Sequence, residues 1–207
     1  MMSDAPAHHL FCLLGPVDPN RKTLPEVLVI IQVCLEGKIS KSTVVEGISR
    51  GKRASGDLIP WTVSQQYQDP DFPRLSGARI VRIATHPDYQ GMGYGAKALS
   101  ILKQYYEFKI PSTDESEDTV EEISNVAEDE VGLLEETIEP RKNLPPLLLK
   151  LSDRPPEKLD YLGVSYGVTE QLLKFWKRAG YVPVYLRQKT NDLTGEHSCI
   201  MLNVLNN

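Results

Sequence analysis

Gln90-Gly-Met-Gly-Tyr-Gly95 sets three glycines at alternate positions. Ahead of them lies a run rich in β-branched residues, Arg79-Ile-Val-Arg-Ile-Ala-Thr85, and behind them a helix-forming run from Ala96. A strand that empties through closely spaced glycines into a helix leaves backbone N–H groups unpaired at the helix start, and a ligand reaches them without Cβ obstruction. Such a turn binds phosphate, and a nucleoside triphosphate, a dinucleotide or a coenzyme A pyrophosphate would suit it. A Walker A loop needs Gly-Lys-[Ser/Thr] after its spacers, but Lys97 comes too late and has no Ser or Thr beside it. The even spacing of the glycines also breaks the Rossmann pattern Gly-x-Gly-x-x-Gly, and no βαβ unit with a ribose-binding acid follows.

The surrounding pattern predicts the elements that must hold this turn. Strands are expected at His8–Leu14 and Val27–Leu35, close enough in sequence to form an antiparallel pair, and a short helix at 40–50 opens on Ser40 with Val44, Val45 and Ile48 on one face. Residues 56–77, with Pro60, Pro70 and Pro73, read as irregular. Trp61, Tyr67 and Phe72 within that stretch are core plugs or, alternatively, a platform for stacking a base. The strand 79–85 leads to a helix 96–108 with Leu99, Leu102, Tyr105 and Tyr106 on its apolar face, stopped by Pro111. A further strand is expected at 159–165, then a helix from Thr169 to Ala179 burying Leu172, Leu173 and Trp176, with Gly180 as its stop. Strands 181–187 and 198–204 flank a short turn and should form a hairpin.

The formal charge of -5 hides an asymmetry. Residues 112–140 carry twelve Asp/Glu and no Lys or Arg; without them, 16 acidic side chains face 23 basic ones. The body is thus basic and the segment is an acidic insert, its first half too poor in large apolar residues to fold alone and 128–138 a short helix. A basic body suits nucleic acid or another polyanion, or is simply a solvated surface. Arg50, Lys52 and Arg53 in a Gly/Ser-rich loop fit the same two readings. Cys12, Cys34 and Cys199 are unspaced and sit in apolar runs, so three buried thiols are expected, with neither disulfide nor metal site. No apolar run approaches the roughly 18 residues of a membrane span, and no signal-peptide pattern opens the chain, so an intracellular protein without membrane contact is expected. The doubled methionine before an apolar run reads as a chain that begins part-way through a longer fold.

The coenzyme A signature Gln/Arg-x-x-Gly-x-Gly/Ala does fit, as Gln90, Gly93 and Gly95. With the flanking strand and helix, and a second helix ending Arg178-Ala-Gly-Tyr181 before a strand, the chain resembles the GNAT N-acetyltransferase superfamily. Asp4-Ala-Pro-Ala-His-His-Leu, Ser55-Gly-Asp-Leu-Ile-Pro-Trp61, Leu159-Asp-Tyr-Leu-Gly-Val-Ser-Tyr-Gly167, Leu173-Lys-Phe-Trp-Lys-Arg-Ala-Gly-Tyr181 and Asn191-Asp-Leu-Thr-Gly-Glu-His-Ser-Cys199 are similar to the acetyltransferase region of eukaryotic RNA cytidine acetyltransferases. The resemblance covers essentially everything outside the acidic insert.

It implies a single α/β (α+β) domain over 1–207: a mixed, mostly antiparallel sheet flanked by helices, with a splayed strand pair that admits acetyl-CoA. It also implies transfer of acetyl to cytidine N4 in 18S rRNA and tRNA, and a place in the nucleus and nucleolus with pre-ribosomal and adaptor proteins. ATP would serve only the family's helicase-like module, which these residues do not include, nor its basic C-terminal tail. Carried over by motif, Ile83, Ala84 and Thr85 would meet the pantetheine amides through their backbone. Gln90, Gly91, Met92, Gly93, Tyr94, Gly95 and Ala96 would cradle the pyrophosphate, and Arg178 would offer a cation to the phosphates. His86, the titratable side chain nearest the turn, is the candidate general base, with a turn-stabilising role as its alternative; His197 and Tyr166 are further candidates. Many superfamily members carry a tyrosine where this chain has Trp176, which has no acidic proton, so the leaving thiolate would go unassisted or take its proton from water or Tyr166. A protein N-acetyltransferase and a non-catalytic acetyl-CoA-binding scaffold in pre-ribosome assembly are the rival readings.

Overall fold

A computed structural model describes residues 7–17, 20, 23–51, 56–111 and 147–206. The elements of the body, residues 1–109 and 156–207, are β1 (His8–Leu14), β2 (Val27–Gly37), α1 (Lys41–Ser49), α2 (Leu58–Tyr67), β3 (Ser76–Thr85), α3 (Tyr94–Tyr106), β4 (Tyr161–Gly167), α4 (Glu170–Arg178), β5 (Val182–Leu186) and β6 (Ser198–Val204). Single 3₁₀ turns sit at Phe72–Arg74 and Pro87–Tyr89. The six strands form one sheet in the order β1-β2-β3-β4-β6-β5. All neighbours are antiparallel except β3 and β4, so the sheet is mixed as expected, and β1–β2 and β5–β6 are the expected hairpins.

Period-two alternation sends β2 side chains to two faces. Under one face lies α3, where Phe11 of β1 packs edge-on against Tyr105 and Tyr106 at 5.6 and 6.1 Å between ring centroids. Over the other lies α2, whose Ile59 and Val63 form a core with Tyr161 and Ile200. Two glycines make room for it. A Cβ on Gly77 would stand 2.1 Å from the Tyr161 ring, and one on Gly163 would stand 2.4 Å from the Ile59 side chain. The entry to α2 is tied to β2, because the Ile59 N–H donates to Glu36 Oε2 at 3.1 Å and buried Glu36 is paired with Arg79 of β3.

Helix α2 corrects the reading of 56–77 as irregular. Pro60 is the third helical residue, where its missing N–H would have had no intrahelical acceptor, so it does not break the helix. Trp61 and Phe72 are core plugs, while Tyr67 is exposed and donates its O–H to the Val184 carbonyl. Strand β3 begins at Ser76, three residues earlier than expected, because small Ser76, Gly77 and Ala78 hide strand character. Likewise α3 starts at Tyr94 and stops at Tyr106, with Phe108 at φ 55° turning the chain before Pro111.

Helix α1 has its Ser40 cap, with Oγ accepting from Thr43 N–H at 3.3 Å, yet of its apolar residues only Val44 is buried; Val45 and Ile48 are exposed. In α4, capped by Thr169, Trp176 is buried and Leu172 exposed. Cys34 and Cys199 are buried, but Cys12 is exposed: its edge-strand side chain points to the face that α3 does not cover. Residues 110–155 form a separate unit. Of it, 110–111 and 147–155 are described, with Leu147, Leu148 and Leu149 exposed. The helix expected at 128–138 lies outside the described residues.

Candidate active site

The β3–β4 ladder runs from Gly77↔Tyr161 to Ile80↔Val164 and stops there, although β3 continues to Thr85 and β4 to Gly167. The strands splay at that point. On its other side β3 stays paired with β2 to the end, and the His86 N–H donates to Leu28 O at 2.8 Å. An antiparallel ladder alternates every second residue. Ala84, opposite Ile30, therefore turns its main chain to β2 as His86 does, whereas Ile83 and Thr85 turn theirs into the splay. Gln90 Nε2 lies 3.4 Å from the Thr85 carbonyl on that side. Of the expected trio of backbone contacts, Ile83 and Thr85 face the splay and Ala84 faces β2.

One residue escapes both ladders. The β2–β3 register shifts between Gln32 and Val33, which pair with Arg82 and Ile80 and leave Val81 as a bulge where the β4 ladder ends. Val81 thus has no partner residue in either ladder and stands at the apex of the splay. Sequence reasoning missed it, because a bulge in a β-branched run has no compositional mark.

Beyond Thr85 the chain makes the Pro87–Tyr89 turn, passes Gly91 at φ 78°, and enters α3 through Gly93 at φ 86°. Gly93 is the N-cap and supplies no side-chain cap. The first helical bond is Lys97 N–H to Gly93 O at 3.0 Å, which leaves the N–H groups of Tyr94, Gly95 and Ala96 without intrahelical acceptors. A Cβ on Gly91 or Gly93 would meet nothing within 4 Å and would project into open space, whereas one on Gly95 would stand 3.3 Å from Thr85 Oγ1 and 3.9 Å from Phe175 of α4. Free donors, the positive end of a helix and open space above two glycines fit a pyrophosphate. Met92 is exposed on the rim. Arg178 lies one helical turn beyond Phe175, exposed, with no ion pair among the described residues.

His86 and His197 hold opposite tautomers. His86 Nδ1 accepts from the Asp88 N–H at 3.3 Å, so its neutral ring carries the proton on Nε2 and its lone pair is spent on the turn. His197 Nδ1 lies 2.9 Å from the Arg187 carbonyl, which can only accept, so its Nε2 lone pair is free. The main chain of His197 lies on the β6 side of β4, where Val168 N–H donates to its carbonyl at 2.8 Å. Tyr166 stacks near Trp176 with ring centroids 6.1 Å apart and directs its O–H to Met201 Sδ at 3.0 Å. Burial first, and the neighbouring Cys199 thiol second, push its pKa up to about 12. At neutral pH it can give a proton but not take one. Among the described residues no group of three metal-ligating side chains exists.

Comparison with known proteins bears on the same residues. The RNA cytidine acetyltransferases of Mus musculus and Homo sapiens are each 68% identical to this chain over 206 residues, 99% of the chain and 20% of their own length. That of Saccharomyces cerevisiae is 56% identical over 214 residues, again 99% of this chain and 20% of its own. The chain thus spans about one fifth of the length of these relatives. The solved structure of Arabidopsis thaliana NAA60 in complex with acetyl-CoA aligns over 99% of this chain and 80% of its own at 9% identity with a TM-score of 0.48, a distant likeness. The family model for GNAT acetyltransferase 2 matches residues 1–206, and the chain belongs to that family.

Proposed function

We propose that this chain is the acetyl-transfer domain of an enzyme that acetylates cytidine N4 in RNA, with acetyl-CoA as donor. The observation that carries the donor is the continuity between the unpaired half of β3 and the uncapped start of α3. A pantetheine arm finds main-chain partners at Ile83 and Thr85, and a pyrophosphate finds donors at Tyr94, Gly95 and Ala96. The acceptor reading rests on relatives that bear the name RNA cytidine acetyltransferase over this whole chain. The basic balance outside residues 112–140 agrees with it. Nuclear and nucleolar location, 18S rRNA and tRNA as targets, and adaptor and pre-ribosomal proteins as partners belong to the same proposal.

When bound, acetyl-CoA supplies an acetyl thioester. The Val81 N–H, fixed at the apex of the splay, is the donor for negative charge that develops on an acyl oxygen there. Cytosine N4 is a neutral, delocalised amine, so a base is needed only as the new bond forms. His197, with its free Nε2, suits that task better than His86. Tyr166 retains its proton and stands beside Trp176, the residue that the superfamily resemblance aligns with a tyrosine in many members.

Acetyl transfer to a cytidine-containing oligoribonucleotide, followed by mass spectrometry of the nucleosides, tests the reading. The expected result is N4-acetylcytidine that a Gly93→Glu variant does not make. Turnover on peptides and none on RNA would favour a protein acetyltransferase, and coenzyme A binding with no turnover on either would favour a scaffold.

A further inference from the structure

Beside the cradle lies a pocket of about 200 Å³ between the β1–β2 connection and the turn into α3, with Pro16, Leu24, Glu26, Leu28, Tyr89 and Tyr94 among its lining residues. Nothing in the acetyl-transfer chemistry uses it. Two aromatic rings, Tyr89 and Tyr94, meet edge to face there at 5.9 Å between centroids and 88°. The Tyr89 O–H donates to Glu26 Oε2 at 2.6 Å. Glu26 Oε1 makes no hydrogen bond among the described residues, so it is left to accept one. The pocket is smaller than the roughly 300–1,000 Å³ usual for a whole small-molecule ligand, and it suits a single planar ring system.

Its place says which ring. Tyr94 belongs to both sites: its main-chain N–H is one of the free donors of the cradle, and its side chain lines the pocket. A ligand whose pyrophosphate rests on that N–H can place its nucleoside end in the pocket. A carboxylate that can only accept selects a base with an exocyclic amine. We infer that this pocket takes the adenine of coenzyme A, with Glu26 accepting a hydrogen bond from the adenine amine and Tyr94 forming a wall against the ring. The inference rests on the coenzyme reading of the cradle.

Calorimetric titration of the full chain with three ligands tests it: coenzyme A, ethenocoenzyme A, whose adenine amine has lost its hydrogens, and 4′-phosphopantetheine, which has no adenine. Wild type should bind ethenocoenzyme A about tenfold or more weakly than coenzyme A, the size of one hydrogen bond to a charged acceptor. Glu26→Ala should weaken coenzyme A to the level of the etheno analogue, and Tyr94→Ala should weaken both; neither should change 4′-phosphopantetheine. Glu26 is exposed and its main-chain bond to the Gly15 N–H survives the substitution, and circular dichroism checks that both variants fold. Unchanged coenzyme A affinity in folded Glu26→Ala and Tyr94→Ala would overturn the proposal. So would weaker binding of a cytidine oligonucleotide with coenzyme A unaffected, which would assign the pocket to a neighbouring RNA base. If wild type binds no coenzyme A, or Gly93→Glu binds it equally well, the cradle reading itself falls and takes this one with it.

Discussion

The two halves of β3 have opposite fates. Ser76–Ile80 is paired on both sides, roofed by α2, and closed by the Tyr161 ring over Gly77 and by the Glu36–Arg79 ion pair. Val81–Thr85 has β2 on one side and no strand on the other. In the first half every hydrogen-bonding direction is spent on stability, whereas in the second, main-chain groups remain for a ligand. The boundary between them is a single bulged residue, Val81.

Substitutions on either side of that boundary should separate binding, chemistry and folding. The largest effect is expected at the end of the open half. Gly93→Glu puts a side chain at φ 86° and a carboxylate where the pyrophosphate would lie. The left-handed conformation costs roughly 1–2 kcal/mol of stability, so the protein should fold while calorimetry detects no coenzyme A binding. At the boundary, Val81→Pro removes the N–H proposed as the acyl-oxygen donor, at a bulge where proline is tolerated. It should lower kcat by about 10²–10³ with the coenzyme A dissociation constant unchanged.

In the closed half the sign reverses. Gly77→Val drives side-chain atoms into the Tyr161 ring and should cost about 3 kcal/mol in urea unfolding, while coenzyme A affinity of the folded protein holds. His197→Ala should slow transfer about 10²-fold, and His86→Ala should act mainly through stability by removing the acceptor that steadies the turn. A kinetic ranking with His86 the more damaging would reverse that assignment.

The smallest effect concerns Tyr166 beside the splayed end of β4. Its folded pKa of about 12 lies above the ordinary tyrosine value, so the folded state holds the phenolic proton more tightly. Its contribution to stability is therefore complete below about pH 10 and is lost as pH rises through 12. Thermal melts of Tyr166→Phe should show a shallower alkaline decline than wild type.

How much of this could be read from the chain depended on whether a feature marks the sequence. The glycine turn, the Ser40 and Thr169 caps and the final hairpin are local, with residue types that carry their own geometry. Helix α2 escaped because Pro60 looks like a breaker unless its position in the first turn is known. The start of β3 escaped because Gly77 is small for the sake of Tyr161, a residue 84 positions away in sequence. The bulge at Val81 and the inward or outward turn of Ala84 depend on register with β2, which composition does not encode. The histidine tautomers depend on hydrogen-bond partners fixed only by the fold.

Amide hydrogen exchange, read residue by residue with and without saturating coenzyme A, tests the central claim most directly. The open half of β3 and the start of α3 should bind as one surface. Exchange should slow at Ile83, Thr85, Tyr94, Gly95 and Ala96, while Ala84, already bonded to β2, should be protected in both states. Uniform slowing along β3 that includes Ala84, or protection confined to residues outside these two segments, would contradict the account.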